Sequence, residues 1–219
     1  KSGMIAWGFQ LVHHDLWDYD TASPPLLATV AHDGRKISVV IQGNKTVFLY
    51  VLDRDTGEPV FPVEERAVPQ SDVPGEKTSA TQPIPLAPPP LAPQQISVND
   101  AWGPTPADRD SCREAMRKLR NEGIFTPPSM QGTLTVPGNV GGMNWSGYAY
   151  DPQRNLLVVN ANNLIARVRL IPREKVNSDK EDGEYGSQRG TPYGMLRRFL
   201  QSPSAFQCGT PPWGTLTAV

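Results

Sequence analysis

Residues 13–20 read HHDLWDYD: two histidines, three carboxylates, a Trp and a Tyr in one short run. Three chemistries use these residue types. A zinc site needs histidines spaced so that both reach one ion, and adjacent His13 and His14 in an extended chain point to opposite faces. A calcium loop needs oxygen donors at alternating positions closed by a Glu; Asp18 and Asp20 alternate, but no such frame continues. A general base needs one carboxylate tuned by a dry pocket beside aromatics, and Asp18, between Trp17 and Tyr19, is the candidate. The plainer alternative is a polar strand end with its acids in solvent.

Two further stretches carry chemistry. In GNKTVFLYVLD, Lys45 sits in a turn between strand-like runs. It is either a solvated surface lysine or an ammonium held where negative charge develops on a cofactor oxygen. PGNVGGMNWSG, residues 137–147, has four glycines that let the backbone approach something closely. It lacks the GxxxxGK[ST] frame of a phosphate loop. Asn144 and Trp145 at its end offer an amide and a ring face to a planar ligand; a simple glycine-rich connection into a strand reads equally well.

These residues must be positioned by β-structure. Strand-like runs cover Met4–Val12, residues 35–61 (strand, turn, strand, tight turn, strand) and residues 144–162 with a turn at Asp151–Asn155. Asp55-Thr56-Gly57 supplies the tight turn. Trp7 follows Gly3 by four residues and Phe61 follows Gly57 by four, and the glycines are 57 − 3 = 54 residues apart. A turn glycine followed by a large aromatic at such a period suits propeller blades or a plain meander. Thr105-Pro106-Ala107-Asp108 reads as a capping box opening a helix over about 106–122, stopped by Gly123. Cys112, Met116 and Leu119 share its inner face, from which Cys112 could meet Cys208. The two cysteines are either buried thiols or one disulfide closing a long loop.

Composition bounds the rest. There are 23 prolines in 219 residues, about twice the average usage, so long loops over a β-framework are expected rather than a helical bundle. QPIPLAPPPLAP, residues 82–93, should run extended over the surface, and the polar residues 173–190 should form a mobile loop. A net charge of −1 gives no reason to expect a nucleic-acid partner. No apolar run is long enough to cross a bilayer. The absent initiator Met and the closing TLTAV are expected of a piece of a longer protein.

WGFQLVHHDLWDYD, VIQGNKTVFLYVLDRDTG, NEGIFTPPSMQGTL, PGNVGGMNWSGYAYDP and CGTPPWGTL occur here in that order. Together they resemble the membrane-bound quinoprotein dehydrogenases of the glucose/quinate/shikimate type, which use pyrroloquinoline quinone (PQQ). The resemblance spans nearly the whole chain and is loose over residues 64–100 and 173–190. It implies an all-β chain, part of an eight-bladed β-propeller across residues 1–219, with long Pro-rich loops, insertions at about 64–100 and 173–190 and one inserted helix. It implies oxidation of a sugar or cyclic polyol at the periplasmic face of the bacterial inner membrane, with electrons passed to ubiquinone. Asp18 matches the family's general base and Lys45, at 45 − 18 = 27 residues further, the lysine on the quinone oxygens. Asn144 and Trp145 match a cofactor-pocket pair, and Cys112 and Cys208 match cysteines that a periplasmic location makes a disulfide. The principal ligands of a Ca²⁺ or Mg²⁺ ion, and the membrane anchor, are implied to lie outside this chain. Val47 departs from the pattern, standing where a Gly is expected. His13, His14, Asp15 and Asp20 receive no role beyond pocket wall or structure. The isolated piece, three or four blades' worth, is expected neither to bind PQQ tightly nor to turn over. The competing class is a non-catalytic propeller scaffold, which has no need for Asp18, Lys45 and Asn144 to converge.

Overall fold

The computed structural model describes residues 3–176, 179 and 181–219. Twelve strands and one α-helix appear among them. Strands β1 (Leu26–His32), β2 (Arg35–Gly43) and β3 (Leu49–Asp53) form one antiparallel sheet. β4 (Val63–Ala67) and β5 (Thr81–Pro85) pair as a ribbon. β6 (Thr133–Thr135), β9 (Ala166–Pro172), β10 (Glu184–Gly186) and β11 (Tyr193–Phe199) form a sheet in the order β10-β11-β9-β6. β7 (Tyr148–Asp151), β8 (Leu156–Asn162) and β12 (Gly214–Ala218) form the third large sheet, ordered β12-β8-β7. The chain leaves the four-stranded sheet after β6, builds β7 and β8 elsewhere, and returns as β9.

The core follows strand periodicity. Along β3 and the residue before it, Leu49 and Val51 point one way, into a cluster with Val39, Ile41, Met143, Leu157 and Val159. Phe48, Tyr50 and Leu52 point the other way, into an aromatic cluster with Trp17, Tyr19 and Phe125. β3 is therefore buried on both faces, which its near-continuous apolar sequence requires. A third cluster joins the helix, through Cys112 and Met116, to Leu134, Ile165 and Cys208.

The expected strand at Met4–Val12 does not form. No strand pairs with it among the described residues, and Ile5 is 91% exposed. Trp7 instead donates its Nε1–H to the Arg54 carbonyl at 3.0 Å and lies against Gly57, where a Cβ would collide with the indole. The two copies of the glycine–aromatic echo thus touch through this contact; Ser2 lies outside the described residues. The expected third strand of residues 35–61 shrinks to one bridge, Leu52 to Pro59, because proline has no N–H for a ladder. β1 was not anticipated, although Asp33-Gly34, both at positive φ, forms the tight turn that joins it to β2.

The helix α1 spans Pro106–Arg117 and ends earlier than expected. Beyond Lys118 the chain is claimed by a neighbour: Arg120 donates its N–H to Gly132 and accepts from Leu134, both at 2.9 Å. The Thr105 cap forms, accepting from the Asp108 N–H, but the reciprocal half of the box does not. Asp108 accepts instead from the Thr105 hydroxyl at 2.7 Å and from Ser204. The proline-rich stretch begins inside β5, which among the described residues pairs only with β4. Residues 173–190 contain β10, and Asp179 and Glu181 fold back onto Arg169 and Arg167. The expected loop mobility at residues 177, 178 and 180 lies outside the described residues.

Candidate active site

Residues 13–20 form no regular strand, so single long-range contacts hold them. Gln82, fully buried on β5, accepts from the His13 N–H at 2.8 Å and donates to the His13 carbonyl at 2.7 Å. The Trp17 indole donates to the Thr126 carbonyl at 2.9 Å and the Tyr19 hydroxyl to the Pro137 carbonyl at 3.1 Å. Burial, with the Asp15 charge added, pushes the Tyr19 phenol far above its ordinary range, so Tyr19 is a structural donor and not an acid. Side chains of WDYD alternate: Trp17 and Tyr19 are buried while Asp18 and Asp20 face out. Asp18 takes the left-handed conformation, φ 64°, which Asp tolerates better than most residues.

Both outward carboxylates meet Lys45. Its Nζ lies 3.0 Å from Asp18 Oδ2 and 2.8 Å from Asp20 Oδ1. Only 10% of the Lys45 side chain is exposed, so it is not a solvated turn lysine. Burial pushes the ammonium pKa down, but the hydrogen bonds and charges of Asp20 and Asp18 outweigh it, and the group sits above its ordinary value. Backbone contacts fix the pairing: Lys45 donates its N–H to the Asp20 carbonyl at 3.3 Å, and Asn44 donates its side-chain amide to the Tyr19 carbonyl at 3.3 Å.

The glycine-rich loop does approach something closely: the Lys45 stem. A Cβ on Gly141 would collide with Lys45 Cγ and Cβ, and Gly142 donates its N–H to the Lys45 carbonyl at 2.9 Å. A Cβ on Gly142 would strike Val47. Val47, the departure from the expected Gly, has φ 63°. A left-handed turn explains why glycine suits the position; the valine keeps that geometry with its side chain packed in the core.

The dry aromatic pocket expected around Asp18 is not its setting. Its side chain is 58% exposed, because the aromatics back the segment from behind. Asp18 lies on the wall of a cavity of about 740 Å³ with Trp17, Thr135, Asn139 and Arg197. Arg197 makes a double contact with Glu184, both at 2.8 Å, which with the Asp18 charge raises its pKa. Asn144 follows the two glycines that pack on Lys45; its amide donates to the Val140 carbonyl, its Oδ1 is buried without a partner, and it does not line the cavity that Asp18 lines. Trp145 is 84% exposed and stands away from the ion-paired cluster's packing. His13 and His14 part company, as their opposed directions require, to Glu65 at 2.9 Å and Glu76 at 3.5 Å. Among the described residues no group of three His, Cys, Asp or Glu side chains could hold a metal ion. Cys112 and Cys208 are joined in a buried disulfide with Cα atoms 5.4 Å apart.

Sequence reasoning missed three contributors. Asp20 was legible, since in WDYD it shares a side with Asp18. Gln82 and Arg197 left no local signal, because their partners are distant in the chain. Together the cluster offers an exposed carboxylate next to a fixed ammonium, suited to taking a proton where negative charge also develops.

Known proteins resemble this chain over its whole length. The chain is 39% identical over 228 residues to the quinoprotein glucose dehydrogenase of Escherichia coli (strain K12), covering 100% of this chain and 28% of that protein. It is 35% identical to the quinate/shikimate dehydrogenase (quinone) of Acinetobacter baylyi, again over 100% of this chain and 28% of the relative. The chain therefore spans less than a third of these relatives. The crystal structure of quinohemoprotein alcohol dehydrogenase from Comamonas testosteroni matches 97% of this chain and 25% of its own, with a TM-score of 0.50 at 23% identity, a likeness of fold. The model of the PQQ glucose/ethanol/alcohol dehydrogenase β-propeller domain matches residues 1–219, and the chain belongs to that family, as part of a β-propeller.

Proposed function

We propose that this chain contributes the general base and a cofactor-contacting ammonium to a PQQ-dependent dehydrogenase that oxidises a sugar or cyclic polyol. The enzyme passes its electrons to ubiquinone at the periplasmic face of the bacterial inner membrane. In this reading membrane attachment belongs to segments outside this chain; among the described residues no helix is long and apolar enough to cross a membrane. The observation that carries the reading is the Lys45 ammonium, nearly buried and held against Asp18 on the edge of a cavity. A scaffold has no use for such a pairing, which costs desolvation.

The residues present fit an anionic quinone in part. An ammonium has three N–H donors, of which Asp18 and Asp20 take two, leaving one for a ligand oxygen. The unpartnered Asn144 Oδ1 beside the same loop is a second polar atom with capacity to spare. Lys45 and Asn144 would hold the cofactor; Trp145 joins them only if its exposed ring is covered by the rest of the protein. The principal ligands of a Ca²⁺ or Mg²⁺ ion belong to segments beyond this chain. PQQ when bound supplies the two-electron acceptor that no side chain provides. Asp18 then removes the substrate hydroxyl proton, and Lys45 presents its remaining N–H to the growing negative charge.

The test uses full-length enzyme reconstituted with PQQ and a divalent cation, assayed with an artificial acceptor against sugars, quinate and shikimate. Wild-type enzyme is expected to turn over at least one of them. Asp18→Asn is expected to lose turnover while keeping PQQ affinity; unchanged turnover removes the assignment. Residues 1–219 alone are expected to show no PQQ-dependent dye reduction.

A further inference from the structure

We propose that Asp20 is the positioning residue that keeps Lys45 charged and in place, so that Asp18 remains basic enough to take a proton. This rests on the reading of Asp18 as the base. The conflict it resolves is physical. A carboxylate that is the sole partner of a buried ammonium is a poor base, because the cation stabilises its charged form. An ammonium with no partner in a nearly buried site loses its proton. One carboxylate cannot serve both needs, and here there are two.

The geometry divides the tasks. Asp20 makes the shorter contact with Lys45 Nζ, 2.8 Å against 3.0 Å for Asp18. Asp20 is also tied to Lys45 through the backbone, its carbonyl accepting the Lys45 N–H. Asp18 alone of the two lines the large cavity. Its Oδ2 faces Lys45, which leaves Oδ1 to receive the proton. If Asp18 shifts toward a substrate, Asp20 still holds the ammonium. Other charges in reach are Arg197 on β11, already paired with Glu184, and Asp15 and Glu76 on the cavity wall, with His14 against Glu76. None of them lies on Lys45, so none replaces Asp20.

The signs are definite. Removing the Asp20 charge leaves Lys45 to Asp18 alone and takes away a like charge next to Asp18. Both changes favour the charged carboxylate of Asp18 over its protonated form, so the acid limb of kcat/KM moves to lower pH and the plateau falls. In the free protein the same change lowers the Lys45 pKa, and each unit of lowering exposes tenfold more neutral amine.

Two readouts test this on full-length protein. In apoenzyme, Lys45 acetylation by a succinimidyl ester is followed by mass spectrometry across pH. Asp20→Asn is expected to accelerate it at least threefold, Asp20→Glu to restore slow labelling, and Asp18→Asn to leave Lys45 protected by Asp20. In reconstituted enzyme, Asp20→Asn is expected to lower the plateau by about tenfold and move the acid limb down, with Asp20→Glu closer to wild type. Unchanged labelling in Asp20→Asn, or an activity loss with the acid limb in place, overturns the proposal. Full turnover by Asp18→Asn sinks the general-base reading and with it the catalytic half of the proposal. The labelling rates then still decide whether Asp20 holds Lys45. Melting curves of each variant separate misfolding from either effect, and Asp20 is exposed enough for its replacement to fold.

Discussion

The segment 13–20 and the helix α1 are both packed against the sheets, yet they are secured in opposite ways. The helix has a capped N-terminus, an apolar stripe and a disulfide to Cys208, all local or covalent devices. The site segment has no regular hydrogen-bond ladder; it hangs from Gln82, Trp17 and Tyr19 and from its contacts with Lys45. Regular structure satisfies its own backbone and leaves side chains on fixed faces. An irregular segment can place Asp18 at φ 64° and turn two acids onto one lysine, but only where the surroundings hold it. Covalent and capped structure is concentrated in one region and the proposed chemistry in the other.

Mutations should separate the two. The largest effect belongs to the site: Asp18→Asn in the full-length enzyme should reduce kcat by about 10²–10⁴ with little change in melting temperature. The mirror case is Cys112→Ala with Cys208→Ala, which opens a loop of 96 residues and should cost about 2–5 kcal/mol in denaturant unfolding. Activity per folded molecule should survive it; a loss of activity at full folding would break the division between the regions. Gln82→Leu lies between them. It removes two hydrogen bonds to the His13 backbone and should cost about 1–3 kcal/mol, and its anchor lies close to Asp18, so kcat should fall as well.

Acid should probe the helix end more gently. The Thr105 hydroxyl, and then Ser204, hold the Asp108 carboxyl below the ordinary aspartate value. Its stabilising contribution is present above that ordinary value and is lost as pH falls through the lowered one. Melting temperature measured against pH should therefore fall less steeply in Asp108→Asn at the acid end. The smallest change is expected from Val47→Gly. Relief of a left-handed β-branched residue, about 1–3 kcal/mol, opposes the lost burial of its side chain, about 1.5–3 kcal/mol. The net should stay within about 2 kcal/mol by chemical denaturation, and PQQ affinity should be unchanged.

Much of the framework was legible because it rests on short-range rules. The β2–β3 and β7–β8 runs, the Gly57 turn that follows β3, the Asn155 turn between β7 and β8, and the Pro106 helix start follow from alternation, turn residues and capping. The strand expected at Met4–Val12 failed because a strand exists only where a neighbour supplies its hydrogen bonds, which no local pattern reveals. The helix was drawn too long for the same reason: Arg120 is taken by Gly132 and Leu134, residues beyond any helical window.

The site divides along the same line. Residue types made Asp18 and Lys45 candidates beside plainer readings, and the family resemblance singled them out and attached roles to them, because chemistry selects side chains and these are written directly in the chain. Their meeting was not written there. It required Tyr19 to bury its ring, Asn44 to hold the Tyr19 carbonyl, and Gly141 to leave room for the Lys45 stem. Nor could sequence foretell that Asp20 shares the lysine, that Gln82 anchors His13 from an insertion, or that Trp145 stands exposed. Distances between remote residues depend on how three packed clusters fit together, and that fit is a property of the whole fold.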